Sequence, residues 1–149
     1  MAATFIKQCH QTGVVLIEAL VSILIFSVGV LSIIGLLTAS IIASRDSTNR
    51  AAAGLLANQV IGQMWADDRT PAQLLAKYGT GGNGYVAWAS GVAAQLPGVA
   101  TYPPTIAVAP ASTVTIPPST LVTVTISWKP PDAAASAQPH RYTAVTQIN

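Results

Sequence analysis

The chain has 149 residues, a length that supports one domain, and is 51% hydrophobic, 8% charged and 6% aromatic. Typical globular chains carry about 25% charged residues, and a net charge of +2, from seven basic and five acidic side chains, excludes a nucleic-acid binder that works through a clustered basic patch. One cysteine, Cys9, excludes an intramolecular disulfide and any Cys-rich metal site, and two histidines, His10 and His140, with five carboxylates make a poor catalytic inventory.

The chain opens on a short polar leader, residues 1–13, that holds Lys7 and ends at Gly13. Four apolar residues follow, Val14 to Ile17, and then Glu18, the only glutamate of the chain. From Ala19 to Ser44 there are 26 residues without a charge. A hydrocarbon layer about 30 Å thick takes roughly 20 helical residues, so this segment is long enough to span a membrane. A core helix of a soluble protein would be shorter and would show a polar face. The apolar region of a secretory signal runs to only about 7–15 residues. A carboxylate inside such a block costs roughly 2.5–3.5 kcal/mol on insertion scales, which marks Glu18 as a candidate functional residue.

The apolar run leads into an amphipathic stretch. Ala52, Leu56, Val60 and Met64 repeat every four residues, with Ala53, Ala57 and Ile61 beside them, while Arg50, Asn58, Gln59 and Gln63 lie off that stripe. No proline interrupts before Pro71, and Asp68-Arg69-Thr70-Pro71 reads as a stop. One helix from Val14 to Asp67 would be about 81 Å long at 1.5 Å per residue, more than a bilayer. The expected division is a membrane-spanning helix over 14–44, an amphipathic half of the same helix over 45–70, and a head over 71–149. At 100° per residue, Glu18, Ser22, Gly29, Ser32, Gly35, Ala39, Ser40 and Ala43 fall in a band about 140° wide, shared with Ile25, Val28 and Leu36. Small residues let helices approach closely, so this band is the expected packing face. Gly29 and Gly35 lower helix propensity by about 1 kcal/mol each and are expected bend points.

In the head, Ala72 to Pro110 is low in periodicity, and Gly79-Thr80-Gly81-Gly82-Asn83-Gly84 reads as a flexible loop. It is not a phosphate loop, because no Lys-Ser/Thr pair follows it. Tyr85, Trp88, Leu96 and Tyr102 are candidate core or loop anchors. Strands are expected at Thr113–Ile116, at Leu121–Trp128 with Val122, Val124, Ile126 and Trp128 on one face, and at Arg141–Ile148 with Tyr142, Ala144 and Ile148 on one side. Residues 129–140, rich in proline and alanine, read as a loop, and His140 as a lone exposed histidine. Three or four antiparallel strands with one face on a helix make an α+β head. Asp67 and Asp68 are expected to be solvated carboxylates at a helix end.

Lys7, Gly13, the four apolar residues, Glu18 and the uncharged span together resemble the class III signal of type IV pilins and type II secretion pseudopilins. The resemblance covers residues 12–70 well, through LIEALVSILIFSVGVLSIIGL and AAAGLLANQVIGQMWADDRTP, and 119–130 weakly, through LVTVTISW. It implies the pilin fold: a long N-terminal helix, membrane-spanning in its first half, packed on a small antiparallel sheet. It implies that a prepilin peptidase cuts between Gly13 and Val14 on the cytoplasmic side and methylates the new amino terminus at Val14, where the family usually carries Phe. The mature chain would then hold no cysteine, so its head would close without the disulfide that many major pilins use. The glutamate five residues after the cut corresponds to Glu18, which in the family meets the amino terminus of a neighbouring subunit during assembly.

The resemblance further implies a non-enzymatic subunit with no cofactor and no metal. Its implied partners are the major pilin, other minor pilins, the prepilin peptidase, the inner-membrane assembly platform, a tip adhesin and, before assembly, membrane lipid; no nucleic-acid contact is evident. Within the family the minor pilins, which start or cap the fibre, are the nearest group. A minor pseudopilin of a type II secretion system stays open as the alternative, and a single-pass membrane protein that never assembles is the third reading.

Overall fold

In the computed structural model, residues 12–112 and 119–149 are described. The chain divides into two compact units, Met1–Arg45 and Asp46–Asn149. Helix α1 runs from Thr12 to Ala66, 55 residues, within two residues of the expected bounds and unbroken at Gly29 and Gly35. From Gly13 to Arg45 every residue of α1 is exposed. This segment is a helix because each backbone N–H from the fifth residue on finds its carbonyl inside the helix, the only economical solution for an apolar stretch.

The second unit is an α+β head. After α1 come α2 (Pro71–Tyr78), α3 (Asn83–Gln95), β1 (Thr105–Ser112), β2 (Ser119–Trp128) and β3 (His140–Ile148). The strands form an antiparallel sheet in the order β1-β2-β3. Val124 of β2 pairs with Ile106 on one side and Ala144 on the other, and Val122 with Val108 and Thr146. Pro110 lies on β1, an edge strand, next to a register shift between Pro110 and Ser112. That placement suits a residue with no N–H to donate.

The stripe anticipated on α1 is the one that enters the core. Ala53, Leu56, Ala57, Val60 and Met64 are buried, and Ala52 and Ile61 pack against them. Facing them are Val122, Val124, Ile126 and Trp128 of β2 and Ile148 of β3, all fully buried. Leu121, Arg141, Thr143, Val145 and Gln147 look outward. Each large apolar side chain so buried contributes about 1.5–3 kcal/mol.

Residues 72–110 differ from the expectation of an aperiodic stretch. Pro71 sits at the first turn of α2, where its missing N–H costs nothing. Only Leu74 and Tyr78 of α2 and Trp88 and Val92 of α3 are buried, in each case one i, i+4 pair. With alanine and glycine filling the rest of α3, there is little apolar contrast for periodicity to report. The glycine-rich segment is a structured turn: Gly79 N–H donates to the Leu75 carbonyl at 2.9 Å and Gly82 N–H to the Gly79 carbonyl at 2.9 Å. Gly81 has φ +89°, and a Cβ at Gly82 would lie 2.3 Å from the Lys77 carbonyl oxygen. Asn83 and Gly84 already belong to α3. The strand expected at Thr113–Ile116 lies outside the described residues; β1 just before it was not anticipated, because Ala107, Ala109, Pro110 and Ala111 carry no strand signature.

Candidate functional site

The residues expected to serve cleavage, assembly and helix packing all lie on α1. Gly13 and Val14 fall in its first turn, Glu18 one turn later, and Ser22, Gly29, Ser32, Gly35 and Ala39 follow toward Arg45. Ideal helical rotation puts Glu18 and these five on one side, and all six are exposed. A Cβ built at Gly13, Gly29 or Gly35 would meet no atom within 4 Å. The structure thus gathers them on one open helical surface and not in a pocket.

Three hydroxyl side chains of this stretch bond back to their own helix. Ser27, Ser32 and Thr38 donate their hydroxyl protons to the carbonyls four residues back, at 2.7, 2.9 and 3.0 Å. A hydroxyl that back-bonds in this way carries its own partner into an apolar medium. Glu18 has no such recourse. An ionised carboxylate only accepts, and the helix consumes its own N–H groups beyond the first turn. The helix is long and apolar enough to cross a membrane, and none of its most apolar 18-residue window is buried within the chain.

The head has its own polar cluster where α1 ends. Asp67, the residue after α1, accepts from the Lys77 ammonium at 2.7 Å and from the Tyr78 phenol. The hydrogen bond from Lys77, then the one from Tyr78, holds the Asp67 carboxyl below its ordinary value. Burial first, then the hydrogen bond to Asp67, pushes the Tyr78 phenol above its ordinary value. Asp68 accepts from the Thr70 N–H at 3.0 Å, and Arg69 donates to the Asn149 carbonyl at 2.8 Å. Asp67, Asp68, Gln73, Lys77 and Tyr78 line a shallow depression of about 120 Å³. The expectation of a solvated carboxylate holds for Asp68, which is exposed and bonds only within its own turn, and is corrected for Asp67, which is half-buried and fastens the corner between α1 and α2. The partners stand ten and eleven residues from Asp67, a separation that no helical or strand period announces.

His140 is likewise not a lone histidine. Its Nδ1 lies 3.0 Å from Asp46 Oδ1, and its ring stacks on Trp128 with centroids 5.7 Å apart and planes 20° apart. The stacking follows from register, since Trp128 and His140 are direct cross-strand partners. Of the expected anchors, Trp88 is buried and its indole N–H donates to the Leu56 carbonyl at 2.9 Å, and Tyr85 donates to the Pro104 carbonyl at 2.8 Å. Leu96 is buried and Tyr102 half-buried.

Comparison of the chain with family models, with curated proteins and with solved structures gave no match.

Proposed function

We infer that the chain is a subunit of the pilin class: a single-pass membrane protein whose N-terminal helix is both its anchor and its assembly element. Within that class it is most like the minor pilin PilV, a non-enzymatic subunit that acts with other minor pilins to start or cap a type IV pilus. The observation that carries this is Glu18. It is an acceptor-only charge on an open apolar helix, followed by 26 uncharged residues and preceded at Gly13 by the junction that the family's peptidase would cut.

Cutting after Gly13 frees an ammonium at Val14, in the cytoplasmic face of the inner membrane. That ammonium and the Glu18 carboxylate are each costly in an apolar bundle. Paired, they offset much of that cost, whereas removing one strands the other at about 3–5 kcal/mol. A Glu18 that meets the Val14 ammonium of the adjoining subunit gives register to helices that would otherwise slide. The band of Ser22, Gly29, Ser32, Gly35 and Ala39 lets their backbones come close. A minor pseudopilin of a type II secretion system would use the same residues and is the second reading.

The test compares Glu18→Ala with Gly13→Ala in cells, scoring processing, co-purification with other minor pilins and surface fibres. Glu18→Ala should be processed normally and accumulate in the membrane with few or no surface fibres. Gly13→Ala should stay unprocessed. Normal assembly of Glu18→Ala would show that the carboxylate is only a membrane-edge residue.

A further inference from the structure

We propose that the outer edge of β3 is a strand-addition site, which takes an extended segment of a partner protein carrying a carboxylate opposite Arg141. β1 and β3 are the two edges of the sheet, and they are built differently. β1 carries Pro110 and a register shift between Pro110 and Ser112, two devices that blunt an edge. β3 carries neither. It pairs with β2 without a break from His140 to Ile148, nine residues with no proline, glycine, lysine or carboxylate. Among the described residues β2 is the one strand bonded to it. Alternate N–H and C=O groups of β3 therefore point away from the sheet, as the backbone of a further strand requires.

The core is also left half open along this edge. Val122, Val124 and Ile126 of β2 are fully buried. Their cross-strand partners on β3 are Thr146, Ala144 and Tyr142, and all three are only half-buried. A strand laid about 4.8 Å beyond β3 would cover the flanks of these side chains with its own alternate residues. Small or apolar residues at those positions suit the surface it would meet.

Charge chooses the occupant. Arg141 is the one permanently charged side chain of β3 and is exposed on its outward face, beside Thr143, Val145 and Gln147. Among the described residues no carboxylate lies at ion-pair distance from it. A second copy of the chain, pairing β3 on β3 antiparallel about Ala144, would set Gln147 opposite Arg141, and β3 has no Asp or Glu to offer in any register. A strand of another protein with Asp or Glu at that rung answers Arg141, because an opposite-charge cross-strand pair stabilises and a like-charge pair does the reverse. The edge belongs to the head, so strand addition here is separate from the pairing of Glu18.

The probe is a synthetic peptide with the sequence of Ser119–Trp128, which already pairs antiparallel with β3 and sets Ser127 opposite Arg141. It is made in two forms, Ser127→Asp and Ser127→Lys, equally prone to enter a micelle through their shared apolar residues. Each is titrated onto the isotope-labelled full chain in detergent micelles, and amide hydrogen exchange is read residue by residue by NMR. The Asp form should slow exchange at alternate residues of β3 and leave β2 unchanged. It should bind roughly three- to ten-fold tighter than the Lys form, since exposed pairs are modest. Arg141→Gln in the full chain, at an exposed position, should remove that preference. Equal binding of the two forms, a preference that survives in Arg141→Gln, or slowing without alternation along β3 would overturn the proposal. So would faster exchange of β2, which would mean that the peptide had replaced that strand. Slowing of the same β3 amides with chain concentration alone would give the edge to a second copy and would overturn it too.

Discussion

Asp67 shows how much one side chain can organise. It follows the last residue of α1 and holds two donors from the end of α2, so it sets the corner between the two helices. Its carboxyl is lowered, chiefly by the Lys77 hydrogen bond, so its contribution to stability is present above about pH 4 and is lost as pH falls through the folded value. Tyr78 is raised, chiefly by burial. Its contribution is present below about pH 10 and declines as pH climbs past that point, where the unfolded phenol ionises first. The melting temperature should accordingly hold between these limits and fall on both sides. Asp67→Asn should lower it by about 2–5 °C at neutral pH, as suits a partly exposed pair, and should flatten the acid limb. Calorimetry across pH checks this, and an acid limb unchanged in Asp67→Asn would remove Asp67 as its cause.

At the scale of elements, two glycines sit in opposite situations. Gly54 lies inside α1, and a Cβ there would touch the Tyr142 ring at 3.6 Å, an ordinary contact. Gly54→Ala should raise stability by about 0.5–1 kcal/mol through helix propensity. A Cβ at Gly84 would come within 2.8 Å of Tyr78 Cε1 and 3.1 Å of the Lys77 carbonyl oxygen, where α2 and α3 meet. Gly84→Ala should therefore destabilise, by about 1–3 kcal/mol, as overpacking does. Chemical denaturation of the pair checks both signs, and a Gly84→Ala as stable as wild type would show that the helices part without cost. The same comparison explains what the sequence revealed. The apolar span, the 52–64 stripe and β2 were legible because their periods are long or strict and their side chains contrast sharply. The α2–α3 pair was not, because its burial rests on Leu74, Tyr78, Trp88 and Val92 amid alanine and glycine. Glu18 stood out because a charge in an apolar run is conspicuous in one dimension. The partners of Asp67 and His140 were hidden because they arise only when distant segments meet.

For the whole molecule, the division at Arg45/Asp46 separates an exposed apolar helix from a head that, among the described residues, contains all seventeen of the buried apolar core. A fragment of residues 46–149 should hence be soluble and unfold cooperatively, as circular dichroism and thermal melting would show; an aggregated or unfolded fragment would mean that the head depends on residues 12–45. The first unit makes sense as a segment that meets lipid and then other helices, provided that Val14 becomes an amino terminus and Glu18 its partner's acceptor. That claim is tested most directly by the intact mass of the membrane-extracted chain from cells with an active prepilin peptidase. The mass predicted is that of residues 14–149 plus one methyl group. A mass that retains Met1, or any part of the leader, would contradict the account.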